Sequence, residues 1–173
     1  IAVMPYRIHT NGGEFLDGIE TETDCLLAYI RDESRQVASE APDTDAYVEF
    51  FAEQLTTAQY VVHITMAKKA SKAYRHALEA AKTFDNVIVL DSGHLSSGMG
   101  LIVLEAAGCV EAGMGAEKIA AEVEQWKAKT QTSFIVDNTK YLMRTGRISA
   151  RVNAICEGLM LHPVVCLKKS SMM

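Results

Sequence analysis

The sequence lacks paired cysteines, an excess of positive charge and any long apolar run, and each absence closes off a class of function. Its four cysteines, Cys25, Cys109, Cys156 and Cys166, are scattered. No CxxC occurs and no histidine stands at ligand spacing, which argues against a disulfide framework and against a zinc site. Lysine and arginine number 17 against 22 aspartates and glutamates, a net charge of −5. That leaves no electrostatic footprint for nucleic acid or an anionic membrane. With no run fit to span a bilayer and no signal-peptide pattern, the expected location is the cytoplasm. The enzymatic glycine signatures are missing too. "LDSGHLSSGMG" offers neither GxxxxGK, nor GxGxxG, nor GxSxG, so it is neither a P-loop, a dinucleotide fingerprint nor a nucleophile elbow.

What is there is an alternation of strands and helices in 173 residues, 49% hydrophobic and 23% charged. This length holds one domain or two small halves with a real core. "IAVMPYRIHT" reads as a strand, "NGGEF" as a turn, "TETDCLLAYIRDES" as a helix with Thr21 or Thr23 as cap, and "RQVASEAPDTD" as a loop. A helix follows with Tyr47, Phe50, Phe51 and Leu55 on one face, then the strand "YVVHITM". The next helix turns Tyr74, Ala77, Leu78 and Ala81 inward. "NVIVLD" suits a central strand covered on both faces. After the glycine loop come two helices separated by Gly113 and Gly115, the strand "SFIVDN", a short helix ended by Gly146, another helix and the strand "HPVVCLKK". The class is α/β with a largely parallel sheet, and a boundary between halves falls near Gly113 to Gly115.

Two stretches carry candidate chemistry. At the first, Asp91 and Ser92 end a strand, and the following helix start offers Ser96, Ser97 and unpartnered amides to a carboxylate or phosphate. The alternative there is a pair of capping serines and glycines that permit close packing. In "VDNTKYLMRTGRIS", Asp137 or Asn138 can cap the short helix, and Arg144 and Arg147 flank Gly146. Arginine beside a turn suits bidentate anion binding, while pairing with the helix end is the plainer role. Among the histidines only His94 lies in a loop where a ligand could sit. His9, on the first strand, is a phosphotransfer candidate that nothing in "YRIHTNGG" activates.

In order along the chain, "GGEFLDG", "SKAYRHALEAA", "DSGHLSSGMGLIVLEAA", "DNTKYLMRTGRIS" and "GLMLHPVVCLK" resemble the DegV family of bacterial fatty-acid-binding proteins. The resemblance implies two α/β lobes, 1–112 and 113–173 here, each incomplete at its outer end, because the family begins with an earlier strand and continues past the last one. It implies a long-chain fatty acid in a tunnel between the lobes, no cofactor and no catalysis by the carrier. It also implies a partner fatty acid kinase subunit that phosphorylates the carboxyl group. The site residues it implies are Ser96, Ser97, Gly98 and Arg147, with Ser39, Thr65 and Lys68 as further head-group contacts. The tail is expected along Ile148, Ile155 and Leu159, which also sit at helical spacing and suit plain core packing.

Three departures stand out. Thr145 replaces one of two family glycines, Ala38 stands where the family has a carboxylate-binding threonine, and Ala67 and Lys68 stand where it has serines. A lost charge-assisted hydrogen bond costs about 1.5–3 kcal/mol, whereas each buried CH₂ still contributes about 0.8 kcal/mol. A tail could therefore hold a ligand whose head group is poorly bound. The alternative is a degenerate sensory or interaction module of a larger regulator, with a different ligand or none.

Overall fold

The computed structural model describes residues 1–32, 34–168 and 171–172. Near its start, β1 (Arg7–Thr10) pairs antiparallel with β2 (Gly13–Leu16) on one side and with β3 (Val37–Glu40) on the other. Three expectations change here. The first strand starts at Arg7 rather than Ile1, past Pro5, whose missing N–H cannot join a ladder. Most of "NGGEF" is strand rather than turn, with Gly13 at φ +145°. The "VASE" segment, expected as loop, is an edge strand; its exposed Ala38, Ser39 and Glu40 give no apolar alternation to read. Helix α1 (Thr23–Ile30) has Glu22 at its N-cap with no side-chain cap, so neither Thr21 nor Thr23 serves there.

The centre is the parallel pair β4 (Val61–Thr65) and β5 (Val87–Asp91), in register from Val61 opposite Val87 to Thr65 opposite Asp91. Strand side chains alternate between faces, and the two faces meet different helices. On one, α2 (Thr44–Leu55) and α3 (Ala73–Ala81) bring Tyr47, Phe51, Ala73, Ala77, Ala80 and Ala81 against Val89. Leu78, expected inside, is 43% exposed; the buried stripe of α3 instead runs through Ala73, Ala77 and Ala80, small residues that let the helix lie close to the sheet. On the other face, α4 (Ser96–Glu111) and α5 (Ala116–Lys129) contribute Ile102, Ala106, Ile119 and Val123 against Val62, Ile64 and Leu90. Both faces of β5 are thus covered as expected, but its position is not central: among the described residues β4 and β5 bond only to each other, and the parallel sheet is this pair.

Helix α4 begins at Ser96, so the glycines expected in a loop, Gly98 and Gly100, are helical. Gly98 is buried, and a Cβ built on it would lie 1.9 Å from Thr132 Oγ1. Thr132 opens β6 (Thr132–Ile135), which pairs antiparallel with β7 (Val164–Lys168), and β7 in turn with β8 (Ser171–Met172). Between β6 and β7 lie α6 (Thr139–Arg144) and α7 (Ala150–Gly158). Asn138, not Asp137, caps α6, and Ser149 caps α7. The turn after α6 is a Schellman motif: Gly146 N–H bonds to Met143 O at 2.9 Å and Arg147 N–H to Leu142 O at 2.8 Å. Gly146 carries the positive φ of 71° that this motif requires, whereas Thr145 at φ −88° needs no glycine. Replacement of the first family glycine is therefore free of backbone strain.

His63, on β4, stands edge-on to Tyr47, Phe50 and Phe51, with ring centroids 5.2–6.2 Å away. Burial pushes its imidazole down to about 4 from an ordinary 6.5, because the cation cannot be solvated there. The folded ring stays neutral down to about pH 4, while the unfolded one takes up its proton near pH 6.5. Between those values the unfolded state binds more protons, so stability falls as pH falls. Urea titrations from pH 7 to pH 4 should show a loss on the order of 3 kcal/mol from this ring, and His63→Phe should flatten that slope. Gly98→Ala should cost about 1–3 kcal/mol by overpacking, measured by denaturant midpoint. Adding Thr132→Ala should recover part of the loss, since removing Oγ1 clears the nearest clash.

Candidate functional site

In an open α/β sheet, ligands bind outside the carboxyl ends of the parallel strands, so the site is built from the ends of β4 and β5. Asp91 closes β5 and is buried. Its Oδ1 accepts the N–H of Lys68 at 3.0 Å and of Gly93 at 2.9 Å, and its Oδ2 lies 3.5 Å from the Lys127 ammonium. Ser92 N–H bonds to Thr65 O and Ala67 N–H to His94 O, which staples the loop after β4 to the loop after β5. His94 is buried rather than open to a ligand. Its Nε2–H donates to Lys127 O at 3.1 Å, which leaves Nδ1 to accept from the Thr132 hydroxyl at 2.8 Å. Both ring nitrogens are used in holding α5 and β6 against the loop.

Around this rigid floor the expected residues are distributed unevenly. Thr65 is buried at the end of β4, its hydroxyl 3.1 Å from Met66 O and 3.3 Å from Leu90 O. Lys68 is exposed, its backbone fixed by Asp91 and its ammonium 5.8 Å from the Tyr74 ring centroid. Ser96, at φ 47°, and Ser97 are exposed at the head of α4. The N-cap of α4 is Leu95, which offers no side-chain acceptor, so the first amides of the helix are not capped by either serine. Gly98 faces Thr132 rather than an open cradle. Ser39 is exposed on β3 opposite Ile8. Arg147 is exposed and Ile148 half-buried in the turn before α7. Arg144 reaches back across the chain to Arg35 O at 2.7 Å, which ties that turn to the segment leading into β3. Ala67 is fully buried and Ala38 exposed.

Below Thr65 lies a cavity of about 970 Å³ that runs the length of β4, at the upper end of the range for small-molecule sites. Met99, Val103 and Ala106 of α4 wall one side, Tyr47 and Ala73 the other, and Ile1 to Met4 face β4 across it. Among the described residues β4 pairs only with β5, and the cavity runs beside its other edge. Of the expected site residues Thr65 alone lines it, and Ile155 and Leu159 do not; they are 57% and 65% exposed, on α7 and at its C-cap. Sequence reasoning missed Tyr6, Tyr47, His63 and Met99 as lining residues. The available signal was weak: Tyr47 lay on an apolar helix face, His63 on an apolar strand, and Met99 inside a supposed loop. Tyr6, which lines the cavity, hydrogen-bonds Ser71. His9, whose nitrogens sit 3.1 Å from Glu14 and 2.9 Å from Glu40, is held between carboxylates that would repel a phosphoryl group. Among the described residues no cluster of ligating side chains could hold a metal ion, and no helix is long and apolar enough to cross a membrane.

Comparison with known proteins agrees with this architecture. A DegV domain-containing protein of Caldanaerobacter subterraneus subsp. tengcongensis is 28% identical over 162 residues, 92% of this chain and 57% of that protein. A fatty-acid-binding DegV family protein of Thermus thermophilus superposes with a TM-score of 0.83 at 26% identity, over 97% of this chain and 60% of that one. The Streptococcus pneumoniae fatty acid kinase (Fak) B3 protein, loaded with linoleic acid, superposes with a TM-score of 0.84 at 18% identity, over 97% and 61%. The chain thus spans about three-fifths of the length of such relatives. The DegV family profile matches residues 1–172, essentially the whole sequence; the chain belongs to the DegV family.

Proposed function

We propose that this chain is the greater part of a non-catalytic, cytoplasmic carrier of a long-chain fatty acid. The observation that supports it best is the apolar cavity under Thr65, next to an uncapped helix head, in a chain that superposes on a fatty-acid-binding relative. In this reading the carboxylate is held at the ends of β4 and β5 by Thr65, the amides and hydroxyls of Ser96 and Ser97, and the Lys68 ammonium. Ser39 and Arg147 close the site from β3 and from the turn before α7, with Ile148 against the first carbons of the tail. Gly98 contributes by holding the head of α4 against Thr132. The tail enters the cavity past Met99. The division into units 1–112 and 113–173 belongs to the same proposal, with the head group held near their junction.

The carrier role extends to a partner kinase subunit that phosphorylates the exposed carboxylate, a reading supported by the likeness to the Fak B3 protein. A second reading rests on Ala67: fully buried, it leaves no hydroxyl where a head-group contact is expected, as in an interaction module that has lost its lipid.

Native mass spectrometry of the recombinant full-length protein, followed by lipid extraction, separates the two. The carrier retains one fatty acid per chain, and Arg147→Ala and Lys68→Ala each weaken retention about tenfold or more, the loss of one charge-assisted bond. A chain that is empty and takes up no added fatty acid is the interaction module.

A further inference from the structure

The helix layer formed by α2 and α3 carries charge that nothing among the described residues answers. On α2, Asp45, Glu49 and Glu53 recur every four residues and form one exposed row along the helix. On α3, Lys72 at the N-cap and Arg75 in the first turn form a second exposed row. Lys82 continues it, its ammonium bonded to Glu79 at 2.6 Å. Among the described residues Asp45, Glu49, Glu53, Lys72 and Arg75 have no ion-pair or side-chain hydrogen-bond partner. No acid stands in the first turn of α3. Two cations therefore face the positive end of that helix dipole, an unfavourable arrangement that a carboxylate from outside would relieve.

The two rows are level with one another. Helix α2 ends five residues before β4 and α3 five residues before β5, and both pack on one face of that parallel pair. They thus run side by side in the same direction. Glu49 and Arg75 each stand six residues before the last residue of their helix, and Asp45 and Lys72 ten and nine before it. This face is also the outside of a finished layer. A sheet grows at its edges, so a strand beside β4 would leave the outward sides of α2 and α3 uncovered.

We infer that this face pairs with the same face of a second copy of the chain, across a twofold axis lying along the two helices. Such an axis sets α2 of one copy against α3 of the other without shifting either along its length. Glu49 then meets the partner's Arg75 and Asp45 the partner's Lys72, and the twofold repeats each contact. Glu53 comes level with Glu79, whose charge Lys82 already offsets, so the contact rests on the first two rungs. Leu78, 43% exposed between Arg75 and Lys82, adds an apolar contact beside them. An acidic protein would answer only the row on α3 and a basic one only the row on α2; a second copy answers both. Exposed ion pairs are individually weak, so the association is modest and falls as salt shortens the Debye length. It does not depend on the fatty-acid reading.

The test is sedimentation velocity of the full-length protein across a concentration series at about 20 mM and about 500 mM sodium chloride. A dimer should form at the lower salt, with its dissociation constant rising about tenfold or more at the higher. Glu49→Arg and Arg75→Glu should each leave monomers at low salt, because each sets like charges opposite one another on both sides of the twofold. The double variant, with the pair exchanged, should dimerise again. Carbodiimide treatment of mixed isotope-labelled and unlabelled copies of the unaltered protein should join the Asp45 peptide of one copy to the Lys72 peptide of the other. That readout needs no variant to fold. A monomer at low salt overturns the inference: if Lys72 then resists acetylation, the rest of the chain covers the face, and if it reacts, the face is left to a different protein or to solvent. A dimer indifferent to salt, one that survives both single reversals, or a folded double variant that stays monomeric overturns it too.

Discussion

The structure turns on the buried carboxylate of Asp91. A carboxylate withdrawn from water is costly by several kcal/mol unless its oxygens are occupied, and here the occupants come from three separate parts of the chain. The Lys68 amide belongs to the loop after β4, the Gly93 amide to the loop after β5, and the Lys127 ammonium to α5. Each is thereby obliged to stay where it is. His94 continues the same logic, spending one nitrogen on α5 and the other on Thr132, which in turn leaves room only for a glycine at position 98 of α4. The loops after β4 and β5 are thus held by polar groups with little freedom, a requirement for any site that must present a ligand in one orientation.

Much of this was legible in the sequence, for reasons that differ between elements. The helices with strong apolar faces, such as α2 with Tyr47 and Phe51, announce themselves by spacing. The β-branched run of β5 does the same, and the Asn138 cap and the Gly146 stop are local chemistry. What failed to show were features decided at a distance. β3 is a strand because β1 lies beside it, not because "VASE" prefers to be one. The first five residues of α4 include two glycines and two serines, poor helix formers, and are helical because Ile102 and Ala106 anchor the later turns in the core. His94 read as an open loop residue because its partners are 33 and 38 positions away. The cavity was likewise invisible, since residues that line a void and residues that fill a core share one apolar alphabet.

The departures from the family pattern also divide by physics. Thr145 occupies an ordinary backbone conformation and changes nothing in the turn. Ala67 is different. It sits fully buried, its N–H committed to His94 O, so the missing hydroxyl is not replaced by a rearranged backbone at that point. Any compensation must come from side chains around it, of which the Lys68 ammonium is the nearest along the chain. A point charge on a flexible stem attracts an anion without fixing its orientation, whereas a hydroxyl bond does both.

The outer edge of β4 gives the cavity a second character. Its walls are oily, but along one border lies the outer edge of β4, a row of backbone donors and acceptors that pairs with no strand among the described residues. A hydrocarbon fills such a space and leaves that row unanswered; an extended peptide answers the row and fills the space as well. Backbone edge and apolar walls thus make different demands on whatever lies against β4.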